Sequence, residues 1–199
     1  MSRTTTVPTP KNLWPREVRW VHAGFAICIV WQLLSSLWMS PHWAKHADYG
    51  NLGKLLFSFH AWIGLLTTFF LLWQWGWIFT HSGIRKQMFP VTGPWQPIRR
   101  DLEGLLRGRA GGIGPHPGLG AVIHGLGLLA VTWMALTGTA VFFFLPPAGA
   151  SPGPVLHVLI PLHKLLGNVV WAYLIGHIGM AALHALLRDR IWDIFRLLD

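Results

Sequence analysis

Four long stretches of the chain are apolar, and each is long enough to cross a bilayer. They run over about 17–39, 54–80, 118–146 and 155–187. Roughly 20 helical residues cross about 30 Å of hydrocarbon. Backbone polar groups in lipid must be satisfied within the segment, so all four stretches are predicted as α-helices. The predicted fold class is all-α: a four-helix transmembrane bundle forming one membrane domain over 1–199. Pro154 and Pro161 punctuate the start of the fourth stretch. Proline suits the first turn of a helix, so 155–160 is expected as a separate short piece. The connection 81–117 contains PIRRDLEGLLRGR, where Ile98, Leu102, Leu105 and Leu106 fall at i, i+4, i+7 and i+8 with arginines between them. That pattern predicts a short amphipathic helix, either lying on anionic lipid or covering a partner subunit.

Charge adds orientation. Arg3, Lys11, Arg16 and Arg19 precede the first stretch; Arg85, Lys86, Arg99, Arg100, Arg107 and Arg109 lie between the second and third; Arg188, Arg190 and Arg196 follow the fourth. The other two connections carry only Lys45 and, at an edge, Lys54. Positive loops stay in the cytoplasm, so both termini are expected there. Trp14, Trp43, Trp77 and Trp192 fall near stretch ends, as interfacial anchors do. The net charge of +9 does not point to nucleic acid, because the charges are parted by apolar runs and only 12% of residues are charged. The N-terminal MSRTTTVPTPKNLWP has no apolar core and is not read as a cleavable signal. A single cysteine, Cys28, excludes an internal disulfide framework and a cysteine zinc site, and no CxxCH occurs for covalent haem attachment.

The chemistry lies in histidines. His22, His60, His124, His163, His177 and His184 fall within or at the edges of the stretches. Polar rings in lipid are costly and therefore candidates for function. His42, His46, His81 and His116 fall in loops and are read as solvated; His157 falls in the short piece before Pro161. His163 and His177 are 14 residues apart, so they share a helix face to within about 40° and are separated by about 21 Å along the axis. Depth then pairs His60 with His163 toward the periplasm, and His22 with a histidine toward the cytoplasm. That partner is His177 or His184, which lie only about 20° apart around the helix; counting from the flanking arginines sets His22 level with His184, and depth alone does not choose between them. Imidazoles paired across a bundle suit axial ligation of haem iron.

The sequence resembles the bacterial cytochrome b561 family, taken broadly to include the cytochrome b subunits of nickel–iron hydrogenases and respiratory formate dehydrogenases. The marks are RWVHA at 19–23, FHAWIG at 59–64, LTG at 136–138 and HKLLGN…GHIGMAALH at 163–184. WGWIFTHSGIRKQMFP and GPHPGLGA are similar to the hydrogenase and formate dehydrogenase branch. Ala23 stands where the family usually has Trp, and Lys164 follows a histidine where acidic or polar residues are common. The resemblance implies two b-type haems, ligated by His22 with His177 and by His60 with His163, and so prefers His177 over His184.

Near these positions, Arg19 (and less so Arg16) suits a haem propionate. Lys164 suits a propionate or snorkels, and His124 suits a propionate or a quinone carbonyl. No Asp or Glu falls in the apolar core of a stretch, which argues against a transporter built on a membrane carboxylate. The expected function is electron transfer across the inner membrane between a periplasmic redox subunit and ubiquinone or menaquinone. The alternatives are a stand-alone superoxide:ubiquinone oxidoreductase and a haem-free scaffold or transporter. Lipid is an implied partner, and the sequence leaves a homo-oligomer open.

Overall fold

The structure is a computed structural model that describes residues 14–44, 49–90, 95–109, 117–147, 150–187 and 190–198. Six helices and a terminal turn make up its regular structure: α1 (Arg16–Ser35), α2 (Gly50–Thr80), α3 (Ser82–Met88), α4 (Gln96–Leu106), α5 (Leu119–Phe143) and α6 (Pro154–Leu186), then a 3₁₀ turn at Ile191–Phe195. The described residues contain no strand. Four of the helices, α1, α2, α5 and α6, are long and apolar enough to span a membrane. They match the four predicted stretches, with shifted ends. The first helix stops at Ser35 because residues 36–38 fold into a turn, where Leu37 and Trp38 donate to the carbonyls of Leu34 and Ser35. The second begins at Gly50, whose positive φ of 53° suits a residue without Cβ.

One expectation is overturned. Residues 155–160 are not a separate piece: α6 runs unbroken through Pro161 for 33 residues. Pro154 sits in its opening turn, where a missing N–H costs nothing. Pro161 forfeits only its own donation to the His157 carbonyl, and the bonds on either side continue the helix. His157 is accordingly a residue of α6.

The spanning helices follow one another up and down. α1 packs on α2, α2 on α5, and α5 on α6. The main backbone neighbour of α6 is α5, and it reaches α1 and α2 chiefly through side chains. Two apolar clusters hold the bundle. Leu33, Val131 and Val170 bring α1, α5 and α6 together, flanked by Phe25, Ile29 and Met134. Leu71, Ile78 and Leu128 join α2 to α5, with Ile84 and Met88 of α3 against them. Many outward residues, such as Ile27, Trp62, Leu72 and Ile175, are exposed apolar side chains, as a lipid-facing surface requires. Polar bonds add register: Trp75 Nε1 donates to Thr132 Oγ1 at 2.9 Å, and Thr68 and Thr139 hydroxyls meet at 3.1 Å.

The predicted amphipathic helix exists as α4, with Leu102, Leu105 and Leu106 exposed. It is fixed to the bundle by Asp101, whose Oδ2 accepts from the Leu119 N–H at 2.8 Å. That carboxylate caps the start of α5, a role the residue preceding a helix usually fills. Gly118, just before α5, leaves room for it: a Cβ there would run into the Asp101 carboxylate. The chain's last turn folds back on α1 and α6. Arg19, almost wholly buried, donates from its guanidinium to the Arg196 carbonyl.

Candidate functional site

The helices bring the sequence-predicted histidines together in two places. On α2 and α6, the rings of His60 and His163 lie with centroids 6.3 Å apart and planes at 89° to each other. On α1 and α6, the rings of His22 and His177 lie with centroids 6.4 Å apart, tilted by 49°. Both α6 members stand on the same face, 14 residues and about 21 Å apart. The ring across from His22 is thus that of His177; His184, two turns further along α6, is buried.

The first place draws on all four spanning helices. Ser35, the last residue of α1, places Oγ 2.9 Å from His60 Nδ1. Gln32, one turn earlier, donates from Nε2 to the His60 carbonyl at 2.8 Å. Thr137 of α5 places Oγ1 3.0 Å from His163 Nδ1. Gly138 lets the imidazole lie against α5: a Cβ there would come within 2.8 Å of His163 Cε1. Lys164 is exposed beside this place.

The second place is built from aromatic faces instead. Phe195 of the terminal turn packs edge-on against His22, at 5.2 Å between centroids. Tyr173, one turn before His177 on α6, stacks on it at 5.6 Å. Gly127 of α5 makes that stack possible, since a Cβ there would overlap the Tyr173 ring. His124 presents its ring edge to His177 at 5.0 Å, and its Nδ1–H is spent on the Gly120 carbonyl at 2.7 Å. His22 Nδ1 is buried and has no hydrogen-bond partner among the described residues. Arg19 lies one turn before His22, bonded to the terminal segment as described.

His42 and His81 are exposed at helix-flanking positions, His42 bonded to Ser58 and His81 stacked on Trp77. His46 and His116 lie outside the described residues. Sequence reasoning did not find Ser35, Tyr173 or Phe195, and it found Thr137 only as part of LTG. A Thr in an apolar helix and a Ser at its end are commonly satisfied by their own backbone, so nothing local marked them.

These pairs can be tested against a bis-imidazole metal. A metal–imidazole nitrogen bond is about 2 Å long. The ring centre lies about 1.2 Å behind the nitrogen, so two imidazoles on opposite sides of one metal have centres about 6.3 Å apart. Both observed separations fit. No group of three or more His, Cys, Asp or Glu among the described residues could hold a metal ion without such a cofactor.

The family model described as prokaryotic cytochrome b561 matches residues 13–196. Neither a curated protein nor a solved structure matches the chain. The match spans nearly the whole chain: it belongs to the prokaryotic cytochrome b561 family, membrane b-type cytochromes of electron transfer, and is a multi-pass protein of the bacterial inner membrane.

Proposed function

We propose that this cytochrome b561 holds two b-type haems, one between His60 and His163 and one between His22 and His177, and carries electrons between a periplasmic redox partner and the quinone pool. The observation behind this reading is the repeat of one geometry. Two imidazole pairs have centroid separations of 6.3 and 6.4 Å, and a single helix supplies one ring to each. A b-type haem supplies one-electron iron chemistry when bound. The chain's part is to present a nitrogen from each side, to exclude water with its apolar clusters, and to keep the two places apart along α6.

The arginine-rich connections support an orientation with the His22 and His177 end toward the cytoplasm and the His60 and His163 end toward the periplasm. At the cytoplasmic end, α1 and α2 border a groove of about 630 Å³ lined by Arg16, Trp20, Gly24, Phe70, Trp73 and Leu197. Glu17 also lines it; the aromatic walls, with one guanidinium and one carboxylate, suit a quinone head group, and Gly24 lets the walls close up, since a Cβ there would meet Phe70 at 2.8 Å. His124, with its Nδ1–H given to the Gly120 carbonyl, keeps a lone pair on Nε2 in the neutral ring, so it accepts from a quinol hydroxyl and donates to a propionate or a quinone carbonyl only as the imidazolium.

A second reading has one observation in its favour. Lys164 is exposed next to His163, where it can attract an anion such as superoxide; the protein is then a superoxide:ubiquinone oxidoreductase. Haem reduction of the purified protein by superoxide, lost in Lys164→Glu, distinguishes this reading from one that needs a copurifying redox subunit.

The test of the main reading is spectral. The purified protein should show a Soret band, a reduced b-type α band and two haems per chain. His163→Ala and His177→Ala should each lose one haem, and His184→Ala should keep both. A preparation without a b-type spectrum overturns the reading and favours a haem-free scaffold. Loss of a haem in His184→Ala but not in His177→Ala overturns the pairing.

A further inference from the structure

The two imidazole places differ in what holds their outer nitrogens. A serine or threonine hydroxyl has one proton to give and lone pairs to accept. Ser35 Oγ lies 3.2 Å from the Gln32 carbonyl. Thr137 Oγ1 lies 3.0 Å from the carbonyls of Trp133 and Met134. A carbonyl oxygen only accepts, so each hydroxyl proton is directed into its own helix. What each hydroxyl offers to the imidazole beside it is a lone pair. The contacts at 2.9 Å to His60 Nδ1 and 3.0 Å to His163 Nδ1 are therefore N–H donations by the rings. That fixes both tautomers: the proton is on Nδ1 and the lone pair on Nε2. Both hydroxyls are buried, with Ser35 only 3% and Thr137 7% exposed, so water does not compete for these bonds. Each comes from a neighbouring helix, α1 for the ring on α2 and α5 for the ring on α6. The arrangement thus depends on how the helices pack. The other place lacks this device at His22, whose buried Nδ1 has no hydrogen-bond partner among the described residues.

We infer that Ser35 and Thr137 are positioning residues: each accepts the Nδ1–H of one imidazole, presents Nε2 to the metal, and lowers the reduction potential of the haem held between His60 and His163. The inference rests on the haem assignment proposed above. The physical link is ligand basicity. An imidazole that donates its outer N–H becomes a stronger donor at the other nitrogen, and a stronger donor favours the ferric over the ferrous state. Losing the acceptor reverses this for one haem and leaves the other alone.

The experiment is a spectroelectrochemical titration of the detergent-purified holoprotein, with haem counted on the same samples. In Ser35→Ala and Thr137→Val, one of the two potentials should move positive by about a tenfold change in ferric-to-ferrous preference, or about 59 mV for a one-electron couple. The other potential should stay in place. Ser35→Thr and Thr137→Ser, which keep a hydroxyl, should restore the wild-type value. Loss of one haem in Thr137→Val with full retention in Thr137→Ser also supports the inference, because outer partners commonly carry 10–100-fold in metal affinity. Two haems with both potentials unmoved in the alanine and valine variants overturn it and leave the haem assignment standing. An equal shift of both potentials overturns it as well. A wild-type protein without two b-type components fails the assignment itself.

Discussion

Gly138 offers a sharp test of whether the His60 and His163 place needs the approach seen here. In Gly138→Ala, the new Cβ would stand 2.8 Å from His163 Cε1. Carbon atoms pack at about 3.5–4.0 Å, so the ring or α5 must retreat by roughly 1 Å. The ring is not free to swing, because its Nδ1 is bonded to the adjacent Thr137. Overpacking of this kind costs about 1–3 kcal/mol, and losing the Thr137 bond adds about 1 kcal/mol. Alanine's better helix propensity returns about 1 kcal/mol. The net of about 1–3 kcal/mol, if it falls on cofactor binding, weakens one haem about 5- to 150-fold. Gly176→Ala and Gly179→Ala are the controls: a Cβ at either meets nothing within 4 Å. Haem titration into apoprotein, followed by the reduced α band, reads the effect. Gly138→Ala should bind one equivalent as wild type does and the second weakly, and both controls should bind two. Two tight equivalents in Gly138→Ala, or equal losses in the controls, refute the reasoning.

Other outcomes follow from single contacts. Gly127→Ala forces Tyr173 off the His177 ring, so it should perturb the His22 and His177 haem and spare the other, the mirror image of Gly138→Ala in the same titration. Asp101→Ala removes the cap from α5. Thermal melting in detergent should register a loss of about 0.5–2 kcal/mol, and Asp101→Asn should recover most of it. Arg19→Ala unties the terminal turn from α1. Trypsin should then cleave faster at Arg190 and Arg196, and unchanged cleavage would show that the turn is held by its apolar contacts alone.

The spanning helices were legible because lipid imposes a rule that length and composition alone can express. The meeting of His60 with His163 was legible for a related reason. Helices crossing one slab share a depth scale, so counting from the ends aligns residues on different helices. The same counting set His22 level with His184, and the shared helix face left His177 equally open. In the structure the ring that lies across from His22 is that of His177, and the paired alanine variants test which ring is the ligand. Helix ends were less legible. Pro161 reads as a break in the sequence, but in the second turn of α6 it removes only one bond, and the helix continues. Ser35 and Thr137 were hidden for a different reason. Their bonds to Gln32, Trp133 and Met134 are the ordinary local ones, and only the neighbouring helix gives the remaining lone pairs a task. Phe195 belongs to a tail read only for its positive charge and for Trp192 as an interfacial anchor, yet it returns to cover His22.

The layer formed by Leu33, Val131 and Val170 has a consequence for what can pass through the protein. Val170 stands seven residues from His163 and seven from His177, so the layer lies midway between the two imidazole pairs. Its own side chains and those flanking it, Phe25, Ile29, Ala130, Met134, Trp171 and Leu174, include no group that takes up and releases a proton. Proton hopping needs a chain of such groups or of water, and close-packed aliphatic side chains admit neither. On the haem assignment proposed above, an electron crosses this layer by tunnelling and needs no carrier in it, while a proton finds none. A proton taken up or released with that electron is then exchanged toward the ends of the bundle and not through this layer.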